Sequence, residues 1–174
     1  MAAESVSHPV AGAPPTPVEV TTYAEGVLVG LAGAAAIALW FLLIDVVQGR
    51  PLYTPTVLGT ALFRGGRGLD DPASLAVSLE MVISFTWIHA LIFLLIGMAT
   101  AWLVASVERN PSLGFGVVLL FVVLQYGFLQ VSMIVAEPVL HALAWPAVLG
   151  GNLLAAATMV AVIRWRHPKL VIEP

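Results

Sequence analysis

Seven ionisable or amide side chains stand inside or beside long apolar runs of this sequence, where polar groups are costly. They are Asp45, Glu80, His89, Gln125, Gln130, Glu137 and His141. A charge at the centre of a membrane helix costs about 2.5–3.5 kcal/mol even on a lenient insertion scale, so such residues need either partners or a function. Carboxylates and imidazoles also bind metals, ligate porphyrins and carry protons. These residues are therefore the first candidates for chemistry.

The first interpretation of this set is structural, with the polar groups satisfying one another and the loops. Asp45 would accept hydrogen bonds from Arg50 or from the amides of a short helix that follows it, because a helix N-terminus favours an anion. His89 and Gln130 would hydrogen-bond across two neighbouring helices. A structural or interface role is expected also of Glu137 and His141.

Three functional interpretations compete with the structural one. His89 could bind a porphyrin or a chlorophyll-type pigment, because it is flanked by the aromatic residues Phe85, Trp87 and Phe93. A metal could bind instead to carboxylates and imidazoles of the set, namely Asp45, His89, Glu137 and His141. The same groups could carry protons or hold a quinone. Bound lipid is the remaining ligand that we consider.

Other kinds of chemistry have no residues to carry them. The chain contains no cysteine, which excludes disulfides, thiolate metal sites and cysteine nucleophiles. The sequence has no phosphate-binding loop, nucleophile elbow or zinc-protease motif. Its net charge of −3 gives no basic stripe for nucleic acid. We therefore expect no enzyme activity from this chain alone and no nucleic-acid partner.

The elements that must position these residues are membrane-spanning helices. Hydrophobic residues make up 60% of the 174 residues, charged residues make up 10%, and the mean hydropathy is +0.99. A soluble domain is nearer to half apolar and a quarter charged. About 20 apolar residues cross the hydrocarbon core as a helix, and four segments come close to that length: residues 27–47, 81–107, 113–136 and 147–163. The predicted fold is an all-α membrane protein, a bundle of four transmembrane helices.

The segments outside the spans have their own compositions. Residues 1–26 are rich in proline and alanine and contain no Lys or Arg, which predicts an extended tail that lies on a partner. Residues 164–174 form a basic C-terminal tail. Asp71 and Pro72 are typical of a helix N-cap and first turn, which predicts that the second span begins before residue 81.

A short helix in the membrane interface is predicted between the first two spans. Gly49 is placed to end the first helix, and Pro51 prevents its continuation. Thr54 and Pro55 are typical of an N-cap and a first helical position. Apolar residues spaced at three and four then predict an interfacial helix over residues 55–63.

Four spans place both termini on one side of the membrane and the interfacial helix on the other. Six of the seven polar residues then gather towards the side of the interfacial helix, with Gln125 nearer to the middle. The loops carry four basic residues on the terminal side and three on the other. The positive-inside rule therefore predicts cytoplasmic termini by one charge.

Small residues form strips on the first and fourth spans. Gly26 and Gly30 are four residues apart on the first span, and Gly150 and Gly151 lie on the fourth. Such strips let helix backbones approach closely in lipid. We predict that the first and fourth spans pack against each other through them; contact with another subunit is the alternative.

Residues 45–59 follow the pattern D-x-x-x-G-R-P-L-x-T-P-x-x-L-G. It resembles a pattern in small, uncharacterised bacterial membrane proteins with four spans, and residues 151–168 resemble the close of such chains. The resemblance implies the four-span fold and a bacterial inner membrane. It implies no activity and no ligand.

The functional expectation is a structural or accessory subunit of a larger bacterial membrane complex, respiratory or photosynthetic, without catalysis of its own. It depends on the small size, the absence of a catalytic motif and the proline-rich tail. The alternative is a self-sufficient protein that binds a porphyrin, pigment, quinone or metal through the polar residues around His89, Glu137 and His141.

Overall fold

The computed structural model describes residues 17–69, 71, 74–109 and 145–168, and all regular structure within them is helical. The helices are α1 (Pro17–Val47), α2 (Tyr53–Arg64), α3 (Leu79–Arg109) and α4 (Trp145–Arg166). Three of them contain stretches long and apolar enough to cross a membrane: Thr22–Val47, Leu79–Glu108 and Pro146–Arg166. The predicted all-helical fold is confirmed for these residues, and the three apolar helices suggest a membrane protein. The predicted third span, residues 113–136, lies outside them.

The ends of α1 and α4 differ from the prediction. Helix α1 begins at Pro17, so residues 17–26 are helical, and the prediction that they belong to an extended tail was wrong. Proline fits the first helical position because it has no amide hydrogen to leave unpaired there. Helix α4 continues to Arg166, so residues 164–166 belong to the helix and not to a separate tail. Residues 1–16 and 169–174 lie outside the described residues.

Helix α1 is the centre of the described bundle, since both α3 and α4 pack against it. Near the end of α1, the indole Nε1–H of Trp40 donates to the carbonyl oxygen of Ala147 at the start of α4, at 2.8 Å. At the opposite end, His167 follows α4 and contacts Glu25 of α1 and Glu108 of α3. Helix α1 therefore runs antiparallel to α3 and α4, which are parallel to each other. We call the two ends of the bundle the α2 end and the His167 end.

Helices α1 and α3 touch through their backbones. A Cβ atom on Gly26 would lie 2.6 Å from the Cα of Met98, and one on Gly97 would lie 2.6 Å from the Cα of Gly30. We predicted that Gly26 and Gly30 pack on the fourth span, and they pack instead on α3. Gly97 is the reason, because a glycine opposite two glycines permits a closer approach than any larger residue.

Helix α4 packs on α1 through a small residue from each helix. A Cβ on Gly33 of α1 would lie 2.8 Å from the sulfur of Met159, and one on Gly151 of α4 would lie 2.9 Å from Cδ1 of Trp40. Here the glycines face long side chains and not backbone. The spans predicted to be first and fourth are therefore in contact, but each glycine receives a side chain from the partner helix.

Helix α3 begins later than the sequence indicates. Its first residue is Leu79, and the backbone N–H of Met81 lies 3.5 Å from Oγ of Ser78, which is the N-cap position. The prediction that the second span begins before residue 81 is confirmed, but the prediction that Asp71 is its N-cap was wrong. The backbone carbonyl of Asp71 instead accepts hydrogen bonds from the N–H and the hydroxyl of Ser74, which closes a separate turn.

Candidate functional site

The α2 end is built around one buried carboxylate. Asp45 is 1% exposed, although it lies on the last turns of an apolar helix. Its Oδ2 accepts the backbone N–H of Thr54 at 2.8 Å, and its Oδ1 accepts the Thr54 hydroxyl at 2.7 Å. Both oxygens of Asp45 are therefore bonded to the first turn of α2.

Asp45 takes the place of an N-cap side chain for α2. The helix begins at Tyr53, and the preceding residue, Leu52, has a left-handed backbone (φ 66°) and no capping hydrogen bond from its side chain. Of the two partners expected for Asp45, the structure shows the amide of α2. Thr54, which we predicted to be the N-cap, instead lies inside the helix and donates to Asp45. An anion at this place also interacts favourably with the partial positive charge of the helix N-terminus.

The turn between α1 and α2 explains how Asp45 reaches α2. Gly49 has a left-handed backbone (φ 72°). Its N–H donates to the carbonyl of Val46 at 3.0 Å, and the N–H of Arg50 donates to the carbonyl of Asp45 at 2.8 Å. This pair of bonds is a Schellman motif, which satisfies the last carbonyls of α1 while it reverses the chain.

Arg50 and Thr56 hold the segment before α3 against α2. The guanidinium carbon of Arg50 lies 3.8 Å from the centroid of the Tyr53 ring, and its Nη2 donates to the carbonyl of Leu75 at 3.1 Å. The hydroxyl of Thr56 donates to the carbonyl of Leu52 and accepts the N–H of Ser78. The cation–π contact, the cap from Asp45 and these hydrogen bonds together fix α2 to α1 on one side and to the segment before α3 on the other.

Packing at the α2 end also involves all three long helices. Tyr53, Val57 and Leu69 form a buried cluster against which Phe41 of α1 and Val148 of α4 pack. A Cβ on Gly59 would lie 2.9 Å from the Cβ of Met81, at the start of α3. Helix α2 therefore lies against all three long helices at this end of the bundle, and it contacts them through its buried face.

Glu80 has a surface role. Its Oε2 accepts Nη2 of Arg64 at 2.9 Å, with the two side chains 71% and 49% exposed. Ion pairs this exposed contribute about 0–1 kcal/mol. The pair links the end of α2 to the start of α3, and it lies on the surface, away from the Asp45 contacts.

His89 joins α3 to α1 within the bundle. Its Nε2 lies 3.2 Å from the carbonyl oxygen of Ala34, and because a carbonyl only accepts, Nε2 carries the proton. The rings of Phe85 and Phe93 lie 5.7 Å and 4.8 Å from the imidazole, centroid to centroid. Binding a metal or a porphyrin through Nε2 would cost the bond to Ala34. The contact therefore favours a structural role for His89.

The predicted polar residues do not converge where the structure describes them. Asp45 bonds to Thr54, Glu80 to Arg64, and His89 to Ala34. Among the described residues, no group of three or more His, Asp or Glu side chains could hold a metal ion. The other members of the set lie outside the described residues: Gln125, Gln130, Glu137 and His141.

A second polar site at the His167 end was not predicted. His167 places Nε2 2.7 Å from Oε1 of Glu25 and Nδ1 2.6 Å from Oε1 of Glu108, and Nε of Arg166 lies 3.7 Å from Oε1 of Glu25. We call these four residues the His167 cluster. The sequence does place a charged or titratable residue at this end of each apolar helix. His167, however, is 142 residues from Glu25 and 59 residues from Glu108, so no local sequence pattern links them.

The His167 cluster alters the acidity of its imidazole. Partial burial lowers the pKa of His167, but the hydrogen bonds to Glu108 and Glu25 and the charges of both carboxylates outweigh that effect and raise its pKa above 6.5. Burial is enough to make these interactions stronger than at an open surface, since the side chains of Glu25 and His167 are 13% and 21% exposed.

The described residues therefore form an all-helical fold, and its apolar helices suggest a membrane location and contact with lipid. No family model, curated protein or solved structure was found to match the chain.

Proposed function

We propose that this protein is a structural or accessory subunit of a larger membrane complex, with no catalysis of its own. The partner class, a respiratory or photosynthetic complex of a bacterial inner membrane, comes from the sequence alone. The proposed role is to bind through its apolar helix faces while its internal polar contacts keep the bundle in one shape.

The observation that carries this proposal is how the polar side chains inside the bundle are used. Asp45 joins α1 to α2, His89 joins α3 to α1, and Trp40 joins α1 to α4. Each of these groups makes a helix-to-helix bond, which is what a scaffold requires. A cofactor or substrate site would instead direct polar groups into a shared space.

The outer faces of the long helices supply the binding surface in this proposal. Only 33%, 22% and 17% of the residues in the three apolar windows are buried. The outward side chains include large aromatic and aliphatic ones, such as Trp87 of α3 at 74% exposure and Leu153 of α4 at 70%. Aromatic residues are enriched in protein interfaces, so the face around Trp87 is the preferred contact for a partner subunit.

Purification of the tagged chain from its native membrane tests this function. In mild detergent the chain should migrate with a larger particle, and harsher solubilisation should release it. Trp87→Ala should weaken this association without lowering the melting temperature, whereas His89→Ala should lower the melting temperature. A stand-alone chain in mild detergent, or one with a Soret absorption band, would overturn the proposal.

A four-span topology is the second part of this proposal. Helix α3 ends at the His167 end and α4 begins at the α2 end, and this placement supports a further crossing between them. At 1.5 Å per residue, the 31 residues of α3 extend about 46 Å, which exceeds the roughly 30 Å of the hydrocarbon core. A chain that crosses lipid is helical because its backbone polar groups must be satisfied, and residues 113–136 are long enough for one crossing.

Labelling of single cysteines tests the topology directly, because the chain has none of its own. Gln48→Cys marks the α2 end. Four spans predict that Glu137→Cys is labelled from the same side as Gln48→Cys, and Ser112→Cys from the other. Labelling of Ser112→Cys and Glu137→Cys from the same side would contradict a crossing by residues 113–136. In right-side-out and inside-out membrane vesicles, the same variants test the proposed cytoplasmic location of the termini.

The interfacial position of α2 belongs to this proposal as well. The helix carries Leu62 and Phe63 at 46% and 47% exposure, followed by Arg64. Apolar side chains next to a basic residue are typical of a helix that lies at the lipid headgroups. Brominated-lipid quenching of a tryptophan placed by Phe63→Trp should report a shallow depth, and a deep position would contradict it.

A further inference from the structure

The His167 cluster joins the ends of three helices and has no part in the proposed function. We propose that Glu25, Glu108 and His167 form a proton-binding site, which holds the ends of α1, α3 and α4 together when the proton is bound and releases α3 when it leaves. The ligand is a proton, so the proposal is independent of any partner subunit.

The geometry of the imidazole requires the additional proton. Nε2 and Nδ1 of His167 lie 2.7 Å and 2.6 Å from carboxylate oxygens of Glu25 and Glu108. A neutral imidazole has one N–H, and an ionised carboxylate only accepts. One of the two contacts would then place lone pairs against each other. With one more proton, the imidazolium donates to both carboxylates, and each contact becomes a charge-assisted hydrogen bond.

Three helices contribute the charged groups that face this imidazole. Glu25 comes from α1, Glu108 from α3, and Arg166 from the last turn of α4. Arg166 lies 3.7 Å from the same Glu25 oxygen that His167 contacts. Glu25 therefore keeps a cation from α4 after the imidazole becomes neutral. Among the described residues, the hydrogen bond that ties Glu108 to the end of α4 comes from His167 alone, which is why loss of the proton releases α3 first.

The direction of the pH effect follows from linkage. The pKa of His167 is raised in the folded protein above its ordinary value of 6.5. The stabilisation by this group is therefore fully present below about pH 6.5, and it is lost as the pH rises through the raised pKa. The response therefore occurs above about pH 6.5.

Melting of the full-length chain in detergent across this pH range tests the proposal. The melting temperature of the wild type should fall by about 2–4 °C as the pH rises, a shift expected of a modest stability loss in a chain of this size. His167→Arg carries a permanent charge and should lose most of this pH dependence. A wild-type pH dependence equal to that of His167→Arg would overturn the proposal.

Spin-label distances show which helix is released. A pair at Ser106→Cys and Arg164→Cys reports the α3–α4 distance at the His167 end, and a pair at Leu79→Cys and Leu149→Cys reports the α2 end as the matched control. The first distance should lengthen with pH and the second should stay constant. An unchanged first distance, or equal changes in both, would overturn the proposal even if His167→Arg failed to fold.

Discussion

The two ends of this bundle are held by carboxylates that differ in what donates to them. At the α2 end, Asp45 accepts from an amide and a hydroxyl, which keep their hydrogens at every physiological pH. At the His167 end, Glu25 and Glu108 accept from an imidazole, which does not. Similar helix-joining contacts thus have donors that keep their hydrogens at one end and, at the proposed proton site, a donor that can lose one. The donor, and not the carboxylate, determines that difference.

Removing the Asp45 carboxylate should have the largest effect on this comparison. Asp45→Ala leaves the buried N–H of Thr54 without its acceptor, and we expect a loss of about 2–4 kcal/mol of unfolding free energy. Asp45→Asn is the matched control, because the amide can accept from the N–H and donate to the hydroxyl. Denaturant unfolding in detergent measures both, and a similar loss for the two variants would show that charge, and not hydrogen bonding, holds the α2 end.

Changing the glycine contact between the two ends should have the next largest effect. A Cβ on Gly97 would meet the backbone of Gly30 at 2.6 Å, so Gly97→Ala should separate α1 from α3 at a cost of about 1–3 kcal/mol. Gly150→Ala is the control, because its Cβ would meet the Trp40 side chain at 3.1 Å. Thermal unfolding compares them, and equal losses would argue against backbone contact between α1 and α3.

Removing the second cation of the His167 cluster should sharpen the contrast between the ends. Arg166→Gln leaves Glu25 without a permanent positive charge from α4, at a cost of at most about 1 kcal/mol because Arg166 is 43% exposed. The loss should be greater at pH values above the raised pKa of His167, where the imidazole is neutral. A pH series of melting temperatures checks this, and a loss that is the same at all pH values would separate Arg166 from the cluster.

The smallest effect is expected at the surface of the α2 end. Arg64→Met removes the exposed ion pair with Glu80, and we expect a change below about 1 kcal/mol with little dependence on pH. The same thermal unfolding assay measures it. A loss comparable to that of Asp45→Ala would mean that the surface pair, and not the buried cap, fixes α2 to the bundle.

How much of the molecule could be predicted depends on how far apart the interacting residues lie in the chain. The left-handed Gly49 and the short helix after it were expected, because glycine, proline and threonine within a few residues have local consequences. The amides of the following helix were one of two predicted partners of Asp45, and the bond to Thr54 nine residues away is of that kind. The apolar lengths of α1, α3 and α4 were sufficient to predict long membrane helices.

What the sequence could not predict is which helix faces which. Gly26 and Gly30 mark a surface for close approach, but only the structure shows that Gly97 of α3 occupies it. A role for His167 could not be predicted, since it lies outside every apolar run and its partners are in other helices. The polar residues of that set that the structure describes, Asp45, Glu80 and His89, also have separate partners, because side chains at one depth can still face different neighbours.

Asp45 contributes to two helix ends at once, and this has a consequence for the order in which the protein assembles. Its carbonyl closes α1 through Arg50, and its carboxylate opens α2 through Thr54. A loop this short costs little entropy to close, so the turn can form while α3 is still being synthesised. His167 is made only after α3 and α4. The contacts of Asp45 can therefore form before those of the His167 cluster.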